Sequence, residues 1–177
     1  MSEEAAKLKD KRDLLLDVLR RYDHYVATTH FKVGLMMSFL GAIVLGLTIM
    51  LKPVQGEISN TRYAAIMVSI LTIISSLFAA IQLLRVVFPN TNNENGSDSL
   101  IFFRAVITES KDSDEYYRKV VSADQERILK DLAIQTYNVA GIVNHKFKVL
   151  TIAVNTMIYV TVPLLAASLV LLIIEGL

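Results

Sequence analysis

Three runs of this chain carry no charge at all: residues 33–51, 64–84 and 149–174. Roughly 20 apolar residues in a helix cross the ~30 Å hydrocarbon core of a bilayer, so each run is long enough to span. A fully buried soluble helix is the alternative for any one of them. In 177 residues, too little polar chain remains to cover three such helices. The apolar fraction of 53% sits beside an ordinary 20% of charged residues because the two are segregated along the chain. The pattern predicts an all-α membrane protein with about three transmembrane helices continuous with cytoplasmic amphipathic helices.

The expected organisation follows these runs: a cytoplasmic amphipathic helix at 1–30, a transmembrane hairpin at 31–87, a cytoplasmic helical block at 88–148 and a C-terminal transmembrane helix at 149–177. Residues 3–29 read as a helix, with Leu8, Leu15 and Tyr22, and Leu19 and Val26, recurring at sevens. Leu14, Leu16, Val18 and Tyr25 widen the stripe. No glycine or proline interrupts this helix before Gly34, so it is expected to enter the membrane unbroken. Small residues at Gly34, Ser38, Ala42 and Gly46 then lie on one face of the first span, a spacing that lets two membrane helices approach closely, within one protomer or between two. Lys52-Pro53 is expected to stop the helix. The second span has its own small stripe at Ala65, Ser69, Thr72, Ser76 and Ala80.

Residues 88–99 contain a turn-forming loop, and the apolar run 100–107 is ambiguous between a strand and a docked helix. A helix is expected at about 112–121. Ser122 and Gln125 then have the spacing of a capping box that opens a second helix, with Ile128, Leu129, Leu132, Ala133, Val139, Ala140, Ile142, Val143 and Phe147 on its apolar face. That helix is expected to run on into the last span through His145, Lys146 and Lys148.

Orientation follows from Lys and Arg: seven up to Lys32, nine from Arg85 to Lys148, two in the connection at 52–62 and none after the third span. The positive-inside rule places the N-terminus and the central block in the cytoplasm and the C-terminus outside. No cleavable secretion signal is apparent. The absence of cysteine excludes disulfides, thiolate metal sites and a cysteine nucleophile. A net charge of +1 argues against nucleic-acid binding by a basic surface.

Chemistry-bearing motifs are few. There is no phosphate-binding glycine loop, nucleophile elbow or metal-ligand cluster, and no catalytic residue, cofactor or metal is expected. HEPN-type ribonucleases pair an Arg and a His across four to six residues. Here Arg20 and His24 have three between them, and Asn138 and His145 have six but lack the guanidinium. An amide inside the hydrocarbon region is costly unless paired, which singles out Asn155. Thr151, Asn155 and Tyr159 share one face of the third span. That face makes either an interhelical hydrogen bond within the monomer or, in an assembly, a wetted lumen or inter-subunit clamp. Thr151, Asn155, Tyr159, Gly34, Ser38 and His145 are therefore the pore or assembly candidates.

The segment Arg21-Tyr-Asp-His-Tyr-Val-Ala-Thr-Thr-His-Phe-Lys-Val-Gly34 leads a helix into the first span. Leu84-Arg-Val-Val-Phe-Pro89 closes the second and is followed by Phe102-Phe-Arg104, Glu115-Tyr116, Asp131-Leu-Ala-Ile-Gln-Thr-Tyr137 and Lys146-Phe-Lys148. This order, over about 18–170, resembles the small transmembrane effectors of bacterial anti-phage nucleotide signalling, the Pycsar membrane-effector and SLATT-like families. It also resembles the membrane-pore accessory protein of type VI CRISPR systems. The resemblance implies a homo-oligomer in the bacterial inner membrane that depolarises or permeabilises it on infection, with itself, the lipid bilayer and a cytoplasmic nuclease or nucleotide signal as partners. The residues leave two other readings open: a non-conducting membrane adaptor that recruits a nuclease or signalling partner, and a degenerate HEPN-like ribonuclease.

Overall fold

The computed structural model describes residues 3–51, 59–88 and 99–175. Among them every regular element is helical: α1 (Glu3–Met50), α2 (Asn60–Val87), α3 (Phe103–Glu109), α4 (Ser113–Ser122), α5 (Gln125–Thr156), a π-helical turn (Met157–Thr161) and α6 (Val162–Ile174). Three stretches are long and apolar enough to cross a membrane: one in α1, α2 itself, and the run from α5 to α6. The expected stop at Lys52-Pro53 and most of the connections at 54–62 and 88–99 lie outside the described residues. The contacts divide the chain into two compact units, Met1–Ala27 with Asn90–Asn144, and Thr28–Pro89 with His145–Leu177.

The unit holding the apolar runs is built around α2. Its small residues Ala65, Ser69, Thr72 and Ser76 are buried as expected, with Ala79 fully buried in place of the expected Ala80, which is half-buried, and this lets a neighbouring helix approach closely. The hydroxyls that this burial takes from water all have partners. Thr72 and Ser76 bond back to the carbonyls of Val68 and Thr72, while Ser69 Oγ meets Ser168 Oγ at 3.2 Å and Ser75 Oγ meets Thr161 Oγ1 at 3.0 Å. Two apolar clusters knit the spans together. Val33 and Leu40 of α1 pack with Ala79, Leu83 and Val86 of α2 and with Ala153 and Met157. Ile43 and Leu47 pack with Ala65 of α2 and Leu172 of α6. The first residues of span one thus meet the last of span two, as an up-and-down arrangement requires. At the other end Ser59 caps α2 by accepting from Arg62 N–H at 3.1 Å, and its hydroxyl donates to Glu175 at 2.9 Å.

Pro163 sits in the first turn of α6 and has no N–H to give the carbonyl of Tyr159, four residues earlier. The helix widens just before it, and Val162 N–H bonds five residues back to the Met157 carbonyl. This is the π pattern expected where the regular ladder is interrupted.

The other unit contains the start of α1, with α3, α4 and the first part of α5. The heptad residues Leu8, Leu15, Leu19, Tyr22 and Val26, together with Val18, are half-buried. Leu14, Leu16 and Tyr25, read as widening the stripe, are exposed instead. Run 100–107 resolves as a buried Leu100 followed by the helix α3. Ser99 holds the turn before it, its Oγ accepting from the N–H groups of Ile101 and Phe102 at 3.1 and 2.9 Å.

Two caps correct the reading of the following helices. Ser122 does not open α5. It ends α4, donating to the Lys119 carbonyl, and Asp124 caps α5 by accepting from Arg127 N–H at 2.6 Å. Only Ala123 and Asp124 separate the two helices, so Ser122 is used up in the last turn of the first. A capping-box pair lies at the start of α4, where Asp112 accepts from Glu115 N–H at 2.7 Å and the Glu115 carboxylate accepts from Lys111 N–H at 2.9 Å. That backbone bond, with Lys119 beside it, lowers the Glu115 pKa below the ordinary carboxylate value. On α5, Leu132 and Val143 are buried as expected, whereas Ala133 is exposed, as is Phe147 further along the helix.

Candidate functional site

The polar residues of span three divide between two faces. Thr161 and Ser168 turn inward and bond to α2. Asn155 does not: it follows the fully buried Ala153 by two residues, a turn of about 160° around the helix. It is exposed, and its side chain makes no hydrogen bond to any described residue. Thr151, one turn earlier, is exposed and donates to the carbonyl of Phe147 at 2.9 Å. Tyr159, one turn later, is 74% exposed beside the π turn. The intramonomer hydrogen bond open to Asn155 is therefore not made, and the three side chains share a face turned away from the protomer's own helices.

Span one behaves in the same way. Gly34, Ser38, Ala42 and Gly46 are all exposed, opposite the buried stripe of Val33, Leu40, Ile43 and Leu47. A Cβ added at Gly34, Gly41 or Gly46 would meet nothing within 4 Å. Packing inside the protomer does not explain their small size. The Ser38 hydroxyl bonds back to the Gly34 carbonyl at 3.1 Å, which satisfies it without a neighbouring helix.

At the junction before span three, His145 is exposed and its neighbour Lys146 turns inward. The Lys146 ammonium donates to the Val86 carbonyl at 2.5 Å, approaches the Val87 carbonyl at 3.5 Å and lies 3.4 Å from His30 Nε2. A cation at the C-terminus of α2 meets carbonyls that no helical N–H can reach. Burial lowers the Lys146 pKa from its ordinary value. Burial, and then the Lys146 charge, lower that of His30. A neutral His30 ring with its proton on Nδ1 accepts from the ammonium. Sequence reasoning missed both residues as a pair. The available signal was the run of basic residues at 145–148, which does not say which of them faces inward.

A second set was missed in the other unit. Asp131, 9% exposed, accepts from Leu100 N–H at 2.8 Å, Gln135 donates to Ser99 Oγ at 3.1 Å, and Tyr116 donates to the Leu100 carbonyl at 2.9 Å. These are residues of the Glu115-Tyr116 and Asp131–Tyr137 motifs, and they pin the segment before α3 onto α5. Arg20 of the ribonuclease motif is exposed, and its guanidinium pairs with Asp17 at 3.1 Å.

A family model described as the Pycsar effector protein domain matches residues 14–174. The chain is also similar to the Pycsar effector protein EcPycTM of Escherichia coli, with 28% identity over 159 residues, covering 86% of this chain and 85% of that one. No solved structure matches it. A match that takes in all three apolar helices, together with their length and composition, means that the chain belongs to the Pycsar effector family, as a membrane effector of anti-phage defence.

Proposed function

We propose that the protein acts without catalysis, as a homo-oligomer that permeabilises and depolarises the bacterial inner membrane. The N-terminal segment and the block at 88–148 face the cytoplasm, where a nucleotide signal or a protein partner releases the activity. The observation that carries this reading is Asn155. An amide within a charge-free, membrane-length helix, turned away from its own protomer and without a partner there, is costly against lipid. A second protomer or water in a shared lumen would satisfy it. Three helices alone enclose no channel, so a lumen requires several copies. The exposed Gly34–Ser38–Ala42–Gly46 stripe supplies a face on which protomers can approach closely.

Ion flux through liposomes containing the purified chain tests this proposal. Wild-type protein is expected to leak once activated, and Asn155→Leu to leak at least tenfold less at equal incorporation. Equal leakage by the two would remove Asn155 from the passage. No leakage by the activated wild type would favour the non-conducting adaptor.

A further inference from the structure

The contacts of Lys146 put the edges of three apolar runs at one level: His30 before the first, Val86 after the second at the end of α2, and Lys146 itself before the third. About one turn from these contacts the chain also carries Lys32, Arg85, His145 and Lys148, all exposed. No Asp or Glu occurs in residues 27–36, 81–88 or 142–152. The ion pairs Glu3–Lys7, Arg12–Asp13, Asp17–Arg20 and Glu115–Lys119 all lie elsewhere. The opposite end of the same unit is different, because there the Glu175 carboxylate accepts from Ser59.

Lys146 is already occupied by its carbonyls and by His30. Lys32, Arg85 and Lys148 have no carboxylate partner among the described residues, and each adjoins an apolar run. Their stems can lie along hydrocarbon while the charged heads reach the level of the lipid phosphates. We infer that this end of the spans is a docking surface for acidic phospholipid headgroups, in which Lys32, Arg85 and Lys148 contact lipid phosphate and Lys146 holds the edges of the apolar runs at a common level. Uncompensated cations at the edge of the hydrocarbon gather anionic lipid in preference to zwitterionic lipid. The inference concerns which lipid surrounds the spans and stands whether or not they conduct.

The test uses the full chain in phosphatidylcholine vesicles holding a minority of phosphatidylglycerol, with spin-labelled forms of each lipid compared for immobilisation at the protein. A preference of roughly fivefold for phosphatidylglycerol is expected at low salt, falling towards equality in molar salt. The triple variant Lys32→Gln, Arg85→Gln, Lys148→Gln should lose the preference, and Lys7→Gln, Lys9→Gln, Lys11→Gln should keep it. Equal immobilisation of the two lipids by the unmodified protein at low salt would overturn the inference. So would a preference unmoved by salt, a measurement that decides the matter even if the triple variant fails to insert. Equal losses in the two triple variants would also overturn it, since the effect would then follow total charge rather than these positions.

Discussion

The ammonium of Lys146 lies 2.5 Å from the carbonyl of Val86 and joins the start of the third span to the end of the second. Replacing Lys146 with Met removes the cation from the end of α2 and leaves the carbonyl of the buried Val86 without this donor. A loss of about 1–2 kcal/mol of stability is expected. Adjacent His145 is exposed, and His145→Ala should stay within about 0.5 kcal/mol of the parent. Thermal unfolding in detergent checks both, and similar losses for the two would contradict the assignment of Lys146 as the inward residue.

Acid should weaken the same junction. Burial and the Lys146 charge hold the folded-state pKa of His30 below the ordinary value of 6.5, so the unfolded chain takes up the proton first as pH falls. The contribution is complete above 6.5 and declines as pH drops below it. The groups around the ring are Lys146 from α5 and, through Lys146, the Val86 and Val87 carbonyls of α2. Melting midpoints across this range should fall for the parent and flatten for His30→Gln. The Glu115 pKa is lowered too, here because its carboxylate accepts from Lys111 N–H, so its stabilisation is lost at still lower pH, in the carboxylate range.

Gly46 and Ser69 should respond oppositely to enlargement. Ser69 is fully buried against α6, and Ser69→Leu forces the helices apart at a cost of about 1–3 kcal/mol. A Cβ added at Gly46 would meet nothing within 4 Å, on a face turned away from its own protomer. Gly46→Leu should therefore leave monomer unfolding unchanged while reducing assembly, read as particle mass in detergent. A destabilised monomer would mean that the stripe serves internal packing.

Asp131 gives the corresponding expectation in the other unit. Asp131→Ala leaves Leu100 N–H buried without an acceptor and should cost about 1–3 kcal/mol, with faster hydrogen exchange at Leu100. Asp131→Asn retains an acceptor oxygen and should lose less. Equal effects would assign the role to charge rather than to the hydrogen bond.

Much of this architecture was legible because charge is segregated along the chain. The three apolar helices, the continuity of α1 past Gly34, the inward heptad of Leu8, Leu15 and Tyr22, and the small stripe of α2 follow from spacing alone. What spacing could not supply was the choice among near neighbours. Residues 145, 146 and 148 point in different directions on one helix, and only the position of the α2 carbonyls selects Lys146. Ser122 and Asp124 are both good caps two residues apart, and the short connection between the helices decides for Asp124. Asp131 opens one of the motifs, but spacing does not show what it holds, because its partner Leu100 lies 31 residues away. Asn155 was singled out by its chemistry. That its own protomer leaves it unpaired follows only from where Ala153 packs.

The mass of the detergent-solubilised particle, measured by light scattering with the detergent contribution subtracted, tests the central proposal most directly. A discrete particle of several copies is expected, with the outward faces of Asn155 and Gly34–Gly46 between protomers. A monomer, or a dimer that gains no copies on activation, would have too few helices to line a passage and would contradict it.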